Sequence, residues 1–362
     1  MNYLNLNEIT TLHIEHTSKC NLLCPQCARV DNNGKKNPIL PMDELTLDDY
    51  KRILTPEFAK QIKRIFWCGN YGDSIASNNF LECLEFIRHS GVRGLTVVTN
   101  GSAQSPAWWT KIGNILDRDT DRVDFSIDGL EDTNHLYRIN SNWKKLKENV
   151  TAFIKAGGNA NWDYLIFDHN IHQVAEAKQI AKKMGFKSIN YKNTSRFVKV
   201  SDFNEVMEIE TKNKNIISSK ENKNKTKYDQ IIDKFGTFNN YVDQTPITCK
   251  YKKDTTVYID FEMNLWPCCW VGAPTYFDDE DNIQKKQIKQ IQERYGKEFN
   301  SLKKYTLEQV LEHNFYNKDL NDSWGNTMTD SNPKLFTCGR TCGSDYEFSS
   351  AEGTFNSQRY TL

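Results

Sequence analysis

The sequence has no long apolar run, no net charge and no internal repeat. No stretch approaches the length needed to cross a bilayer, so a membrane is not an expected partner. Met1 to Thr11 lacks the basic-then-apolar pattern of a secretory leader, which points to a cytoplasmic protein. The 47 basic and 47 acidic residues cancel. Without a basic field, nucleic acid is not expected either, and no acidic block suggests a solvating tail. Hydrophobic residues make up 38% of 362 residues, enough for two domains or one large domain with an appendage. What the chain does hold is cysteine, ten in all. In a reducing compartment, cysteines at short spacing read as metal ligands or catalytic thiols, not as a disulfide framework.

The first half alternates short β-rich runs with helical patterns. The spacing predicts strands at Leu12–Glu15, Ile62–Cys68, Leu95–Thr99, Val123–Ile127, Asp163–Phe167 and Ser188–Tyr191. It predicts helices through Asp48–Ile53, Asn79–Arg88, Trp108–Leu116, Trp143–Ile154 and His172–Met184. Gly157-Gly158 and Gly185 stand where helices should stop. Six β–α repeats imply a parallel sheet with right-handed crossovers. Six fall short of the eight of a closed barrel, so the expected fold is α/β, a partial (β/α)6 TIM-like barrel. Composition shifts after about Val200, and Lys212–Lys227 is Lys- and Asn-rich, as a linker or exposed insertion would be. A second cysteine-bearing region spans Cys249 to Cys342. Within it, Asp278–Lys304 reads as a charged, solvated helix and Tyr305–Leu320 as a shorter amphipathic one. The expected division is a core domain over 1–200, a polar linker over 201–245 and a small cysteine-rich domain over 246–362.

The first strand runs into Cys20-Asn21-Leu22-Leu23-Cys24-Pro25-Gln26-Cys27. Zinc usually takes paired ligands and four in all, and a bacterial ferredoxin run would add a fourth cysteine three residues on. Here Ala28, Arg29 and Val30 follow instead. Three thiolates would leave one iron of a four-iron cluster open, as a catalytic site requires. Cysteines in this C-x-x-x-C-x-x-C spacing, after the first strand of a β–α array, resemble the signature of the radical S-adenosylmethionine (SAM) superfamily. Gly69-Asn70-Tyr71-Gly72-Asp73 resembles that family's Gly-Gly-Glu segment, which implies backbone groups presented to the SAM amino group. Thr99-Asn100-Gly101-Ser102, then Ser126-Ile127-Asp128-Gly129 with His135 and Arg138, stand at later strand ends, and the resemblance implies SAM contacts from the serine and the arginine. It gives Gly69, Asn70, Tyr71, Gly72, Asp73, Asn100, Ser126, Asp128 and Arg138 as expected cofactor-binding residues. The fifth and sixth strand ends carry Phe167, His169, Asn170 and then Arg196. Each feature has a plainer reading. Gly69 and Gly72 serve a tight turn, Asp128-Gly129 is a common turn pair, and Arg138 pairs with a surface carboxylate. Cys68 and Cys83 read as packed thiols, and neither His13 nor His16 is assigned a catalytic role.

Downstream, Cys249, Pro267-Cys268-Cys269 and Cys338-Gly339-Arg340-Thr341-Cys342 resemble the auxiliary-cluster domains called SPASM and twitch. With five cysteines in the region, the resemblance implies the shorter form, one [4Fe–4S] cluster on Cys249, Cys268, Cys338 and Cys342, with Cys268 preferred over Cys269. A structural zinc site is the plainer alternative. Where that family usually has glycine before the second ligand, this chain has Met263-Asn264. The resemblance thus implies a SAM-cleaving [4Fe–4S] cluster on Cys20, Cys24 and Cys27 and a radical SAM oxidoreductase acting on a peptide or protein side chain. Its expected electron donor is flavodoxin or ferredoxin. The alternatives are the same chemistry on a small molecule, such as a sugar alcohol or nucleotide precursor, and a non-catalytic iron–sulfur or zinc protein.

Overall fold

The β-branched and aromatic runs become strands. They are β1 (Thr11–Ile14), β2 (Arg64–Trp67), β3 (Gly94–Thr99), β4 (Arg122–Ser126), β5 (Ala160–Ile166) and β6 (Ser188–Asn193). The computed structural model describes residues 3–31, 34–193, 209–210, 216–217, 224–344 and 358–362. All six predicted strands are present, their ends shifted by a few residues, and each pairs in parallel with the next in sequence. Helices Phe80–His89, Pro106–Ile115, Trp143–Lys155 and Val174–Met184 connect them. Gly157 and Gly185 have φ of 95° and 91°, the left-handed conformation that ends a helix at least cost in glycine.

The alternation along the strands separates two faces. Ile65 and Trp67, then Val123 and Phe125, are fully buried against helices. Arg64 and Phe66, then Arg122, Asp124 and Ser126, stand half-buried on the other face. A closed eight-stranded barrel fills its interior with apolar layers. This partial one has a polar inner face instead, with Arg64, Arg122, Asp124, Asp163 and Lys192 among its residues.

Two short strands, β7 (Ile209–Glu210) and β8 (Ile216–Ile217), pair only with each other. The main sheet continues past both ends of the six. On one side β9 (Thr256–Ile259) runs parallel to β1, followed by antiparallel β10 (Leu265–Trp266). On the other, β11 (Gln358–Thr361) is antiparallel to β6. The order is β10-β9-β1-β2-β3-β4-β5-β6-β11. One hydrophobic core joins Ile14 and Trp67 to Val257, Trp266, Phe299 and Phe315. Sheet and core therefore both run across the division drawn at residue 246.

Most of the Lys- and Asn-rich stretch 212–227 lies outside the described residues, and its last four residues begin helix Asn224–Phe235; the expected linker over 201–245 continues through helix Phe238–Gln244. The charged segment 278–304 forms helix Ile283–Tyr295, which is not simply solvated. Gln284, Lys285, Gln287 and Ile288 are buried. The Lys285 ammonium donates to the Phe277 carbonyl at 2.6 Å and pairs with Glu280 at 2.7 Å. Gln287 both donates to the Lys334 carbonyl (3.0 Å) and accepts from the Phe336 amide (2.8 Å). Polar side chains can be buried when partnered this way. The single helix expected over Tyr305–Leu320 is broken into Leu307–Leu311, a π-turn at Phe315–Asp319 and Leu320–Ser323. In the β9–β10 turn, Met263 takes φ 69°, where glycine was expected. Asp260 holds the turn by accepting from the Glu262 and Asn264 amides at 3.0 and 2.9 Å.

Candidate functional site

The loop after β1 wraps through Gln26, whose φ of 59° turns the chain between Cys24 and Cys27. Cys20, Cys24 and Cys27 gather with Leu22, Tyr137, Leu165 and Phe167 in one apolar cluster. Arg29 is buried inside the loop and donates to the carbonyls of Ser18 (3.0 Å) and Leu22 (3.5 Å), bracing it from within. Sequence reading took Arg29 only as the absence of a fourth cysteine. Burial, then Asp73 and the neighbouring thiols, pushes Cys20 up to about 12. Polar donors face the sulfurs: Asn100 Nδ2 stands 3.8 Å from Cys20 Sγ and Arg138 Nη1 3.9 Å from Cys24 Sγ.

The Gly69–Asp73 segment after β2 lies directly against this loop. A Cβ on Gly72 would stand 1.7 Å from the Thr17 carbonyl oxygen, and one on Gly69 2.2 Å from the Gly72 carbonyl oxygen. Neither glycine has positive φ, so close approach requires them, not turn freedom. Asp73 is buried and bridges to the third strand end. One of its oxygens accepts from Thr99 Oγ1 (3.0 Å), the Asn100 amide (2.7 Å) and Asn100 Nδ2 (2.6 Å). Asn100 Nδ2 also donates to Asn21 Oδ1 at 3.1 Å, tying the ends of β2 and β3 to the cysteine loop.

Glu15, which sequence reading passed over, organises this segment from below. Its Oε1 accepts the amides of Tyr71 (2.6 Å) and Gly72 (3.1 Å), and its Oε2 accepts the Tyr258 hydroxyl from β9. Asn70 Nδ2 donates to the same hydroxyl at 3.2 Å, and the Tyr71 hydroxyl donates to the Ala273 carbonyl. The C-terminal region thus grips the segment twice. A signal was available: a lone acid straight after a strand, before a polar loop, is misplaced unless backbone amides hold it.

Burial pushes Glu15 up to about 7, against the lowering effect of its Tyr258 and backbone donors. The groups facing it include Tyr71, Tyr258, Tyr276 and Cys269. A carboxyl whose folded pKa lies above its unfolded value holds its proton more tightly when folded. Glu15's contribution to stability therefore falls as pH rises from the unfolded value of 4.5 through about 7, opposite in sign to that of the buried His13 and His16. The expected loss is about 3 kcal/mol over that window. Glu15→Gln keeps the acceptor for Tyr71 and Gly72 and should abolish this slope. Urea unfolding of both proteins at about pH 5 and about pH 8 checks it, and parallel slopes would refute the assignment.

At the fourth strand end, Asp128 is fully buried. Its carboxylate takes Arg138 Nε at 2.6 Å and the Leu165 amide at 2.7 Å. Burial opposes charge on Arg138, but Asp128 and the Cys24 sulfur outweigh it and hold its pKa above the usual value. Arg138 is therefore an internal strut, not a surface ion pair. Asn170 Nδ2 donates to the Asp128 carbonyl at 3.0 Å, and His169 stacks on Phe167 with both ring nitrogens buried. Ser126 faces the lumen one level below. Arg196 lies outside the described residues. Cys83 packs in the core as expected. Burial lowers both His13 and His16 to about 4, and both ring nitrogens of each are engaged.

Cys249, Cys268, Cys338 and Cys342 line one cavity walled by Trp270, Val271, Leu320 and Trp324. Cys249 and Cys342 hydrogen-bond to each other, which lowers Cys249 to about 6 and raises Cys342. The adjacent Cys269 turns elsewhere. His13 Nε2 meets the Cys68 carbonyl at 2.6 Å, so that nitrogen carries the ring proton. Nδ1 then accepts the Tyr251 hydroxyl at 2.7 Å. The same Tyr251 hydroxyl also donates toward Cys269 Sγ at 3.3 Å. Cys269 is thereby engaged by Tyr251, whereas Cys268 faces the cavity. Among the described residues no three His, Cys, Asp or Glu converge as the ligands of one ion do. The four thiols of the second set stand around a space instead. A larger cavity of about 450 Å³, between helix Ile283–Tyr295 and residues 328–335, contains no cysteine.

Both donor sets are all-thiol and apolar-walled, which fits iron–sulfur ligation. Residues 14–181 match the family described as the Radical SAM superfamily, and they form most of a mixed α/β fold with a mainly parallel sheet. No curated protein matches the sequence. Solved structures of similar fold include Streptococcus suis SuiB bound to the precursor peptide SuiA, at 12% identity and TM-score 0.55, covering 91% of this chain and 70% of that one. They also include anSMEcpe with bound AdoMet, at 14% identity and TM-score 0.51, covering 94% and 92%. A third is anSMEcpe with AdoMet and the Cp18Cys peptide, at 13% identity and TM-score 0.50, covering 92% and 89%. The chain spans 66% of the SuiB chain bound to S-adenosylmethionine. At such identities the likeness is one of fold. Among the described residues no helix is long and apolar enough to cross a membrane.

Proposed function

We propose that this chain is a radical SAM oxidoreductase that modifies a peptide or protein side chain. In this reading a [4Fe–4S] cluster sits on Cys20, Cys24 and Cys27, and an auxiliary [4Fe–4S] cluster on Cys249, Cys268, Cys338 and Cys342. The observation that carries the reading is the convergence of the three-thiol loop with Gly69–Asp73, Asn100 and the Asp128–Arg138 pair on one edge of the sheet. When bound and reduced, the first cluster would supply the electron that cleaves SAM to a 5′-deoxyadenosyl radical, which takes hydrogen from a substrate.

The chain's own residues do the positioning. Glu15 fixes the Tyr71 and Gly72 amides and the Tyr258 hydroxyl holds the Asn70 side chain, and the segment fixed in this way would meet the SAM amino group. Ser126, Asn100 and Arg138 stand where the rest of SAM would lie. Leu22, Tyr137, Leu165 and Phe167 pack around the three thiols, of which Cys24 is buried and Cys20 and Cys27 half-buried. The Tyr251–Cys269 contact favours Cys268 as the auxiliary ligand. Peptides bound in structures of similar fold support a peptide substrate. Electrons would come from a flavodoxin or ferredoxin.

Anaerobically reconstituted, reduced protein given SAM should form 5′-deoxyadenosine, and Cys24→Ala should form none while retaining the auxiliary cluster's iron. Cys338→Ala should leave the SAM-binding cluster spectroscopically intact. Equal loss of all iron in both variants would refute two separate sites, and turnover by Cys24→Ala would refute the role of the first loop.

A further inference from the structure

The inner face of the sheet carries a charge that its neighbours leave unbalanced. Arg64 opens β2 and Arg122 opens β4, and both side chains point inward, because Ile65 and Val123 take the outer face. Arg122 Nε reaches both oxygens of Asp124 at 3.2 and 3.1 Å, and Asp124 also accepts from Asn161 Nδ2 at 2.9 Å. Arg64 lies 5.4 Å over the Phe66 ring and donates to Thr96 Oγ1 at 3.2 Å. Among the described residues it makes no ion pair. Burial and then the charge of Arg122 pull Arg64 below the usual arginine value, with Asp124 opposing. Higher on the same face, Lys192 and Asp163 neutralise each other at 2.6 Å. Between β2 and β6 this leaves Arg64, bonded to Thr96, beside Arg122, the register partner of Thr96, with one carboxylate, Asp124, already paired to Arg122.

Two half-buried guanidiniums held near each other repel unless an anion joins them, and their forks suit a carboxylate or a phosphate. Within β2 to β6 one positive charge is in excess, which a single carboxylate balances; Arg359 of β11 reaches Ser188 Oγ from the margin at 3.1 Å. We propose that Arg64 and Arg122 form a subsite for a carboxylate of the substrate. This rests on the reading of the lumen as the substrate chamber. Asp124 stands two residues below Ser126 along β4, about 7 Å at the usual strand rise. A carboxylate anchored beside Asp124 therefore lies roughly two residues' length below the strand end at Ser126, where SAM is placed. It comes either from an acidic side chain next to the modified residue or from a peptide's C-terminus.

The test is calorimetric binding to the loaded, full-length protein. The probes are N-acetylglutamic acid α-amide, which offers only a side-chain carboxylate, and N-acetylglutamine, which offers only a terminal one. Neutral N-acetylglutamine amide and inorganic phosphate are the comparisons. At least one carboxylate probe should bind, and the better binder identifies the source. Arg64→Gln should weaken it about tenfold or more, the loss of a charge-assisted pair, with SAM affinity unchanged. Asp124→Asn should tighten it, since the competing internal carboxylate is gone. The subsite is overturned if Arg64→Gln binds as well as the native protein, if the neutral amide binds equally, or if phosphate binds better than both carboxylates. Loss of SAM binding in the native protein would instead overturn the enzyme reading, and is scored separately.

Discussion

Asp128→Ala should destabilise the protein by about 3–5 kcal/mol, the cost of stranding a buried charge. Arg138 would be left against Cys24 with its side chain only 15% exposed. The Leu165 amide, 2.7 Å from the lost carboxylate, would lose its partner too. Replacing both members, as Asp128→Leu with Arg138→Met, should recover much of the loss, because neither charge is then orphaned. Urea unfolding of matched preparations decides it. An Asp128→Ala protein within about 1 kcal/mol of native would mean that Arg138 finds water or another anion. The same variant should lose 5′-deoxyadenosine formation even where it folds, since Arg138 would no longer be held beside the cysteine loop.

Gly72→Ala is the second large effect. The new methyl would meet the Thr17 carbonyl oxygen at 1.7 Å, the Thr17 carbonyl carbon at 2.6 Å and the Lys19 carbonyl oxygen at 3.0 Å. All three are backbone, so no side chain can swing aside, and the strain must pass to the chain entering Cys20. Overpacking against fixed backbone costs about 3 kcal/mol or more. The Gly72 amide would also be displaced from Glu15, 3.1 Å away. The expected result is a lowered melting temperature and loss of iron from the first site, with the auxiliary site retained. Gly325→Ala is the matched control. Its nearest neighbour would be the Asp322 carbonyl oxygen at 3.9 Å, and it should be close to neutral. Native iron content in Gly72→Ala would show that the cysteine loop is not coupled to this segment.

The six core strands were legible because their local signals agree. β-branched runs, helical spacing and Gly157 or Gly185 as stops all point one way. The first cysteine loop was legible for the same reason, since its spacing is local. What stayed hidden depends on distant partners. Nothing in Thr256–Ile259 says that it lies beside Thr11–Ile14, so Tyr258 could not be linked to Glu15. Helix Ile283–Tyr295 reads as solvated because its buried face uses Gln284, Lys285 and Gln287 instead of apolar residues. Their partners come from elsewhere in the chain: Thr337, the Phe277 carbonyl and the Lys334 carbonyl. Cys268 and Cys269 are adjacent in sequence, and the fold alone tells them apart: Cys268 lines the cavity and Cys269 meets the Tyr251 hydroxyl.

The pairing of β1 with β9 has a consequence for synthesis. Thr11 leaves the ribosome long before its partner Thr256, and at about 5–20 residues per second the wait is roughly 10–50 s. Throughout that time the outer margin of β1 is an unpaired strand edge, open to strands of other nascent chains. The three-cysteine loop hangs from the end of this incomplete strand, and Glu15 has no Tyr258 to meet. A chain that acquired iron at the first site early would do so on a half-built cradle. Cells making this protein in large amounts should therefore accumulate aggregated, iron-poor chains, and slower elongation through residues 15–255 should worsen that outcome.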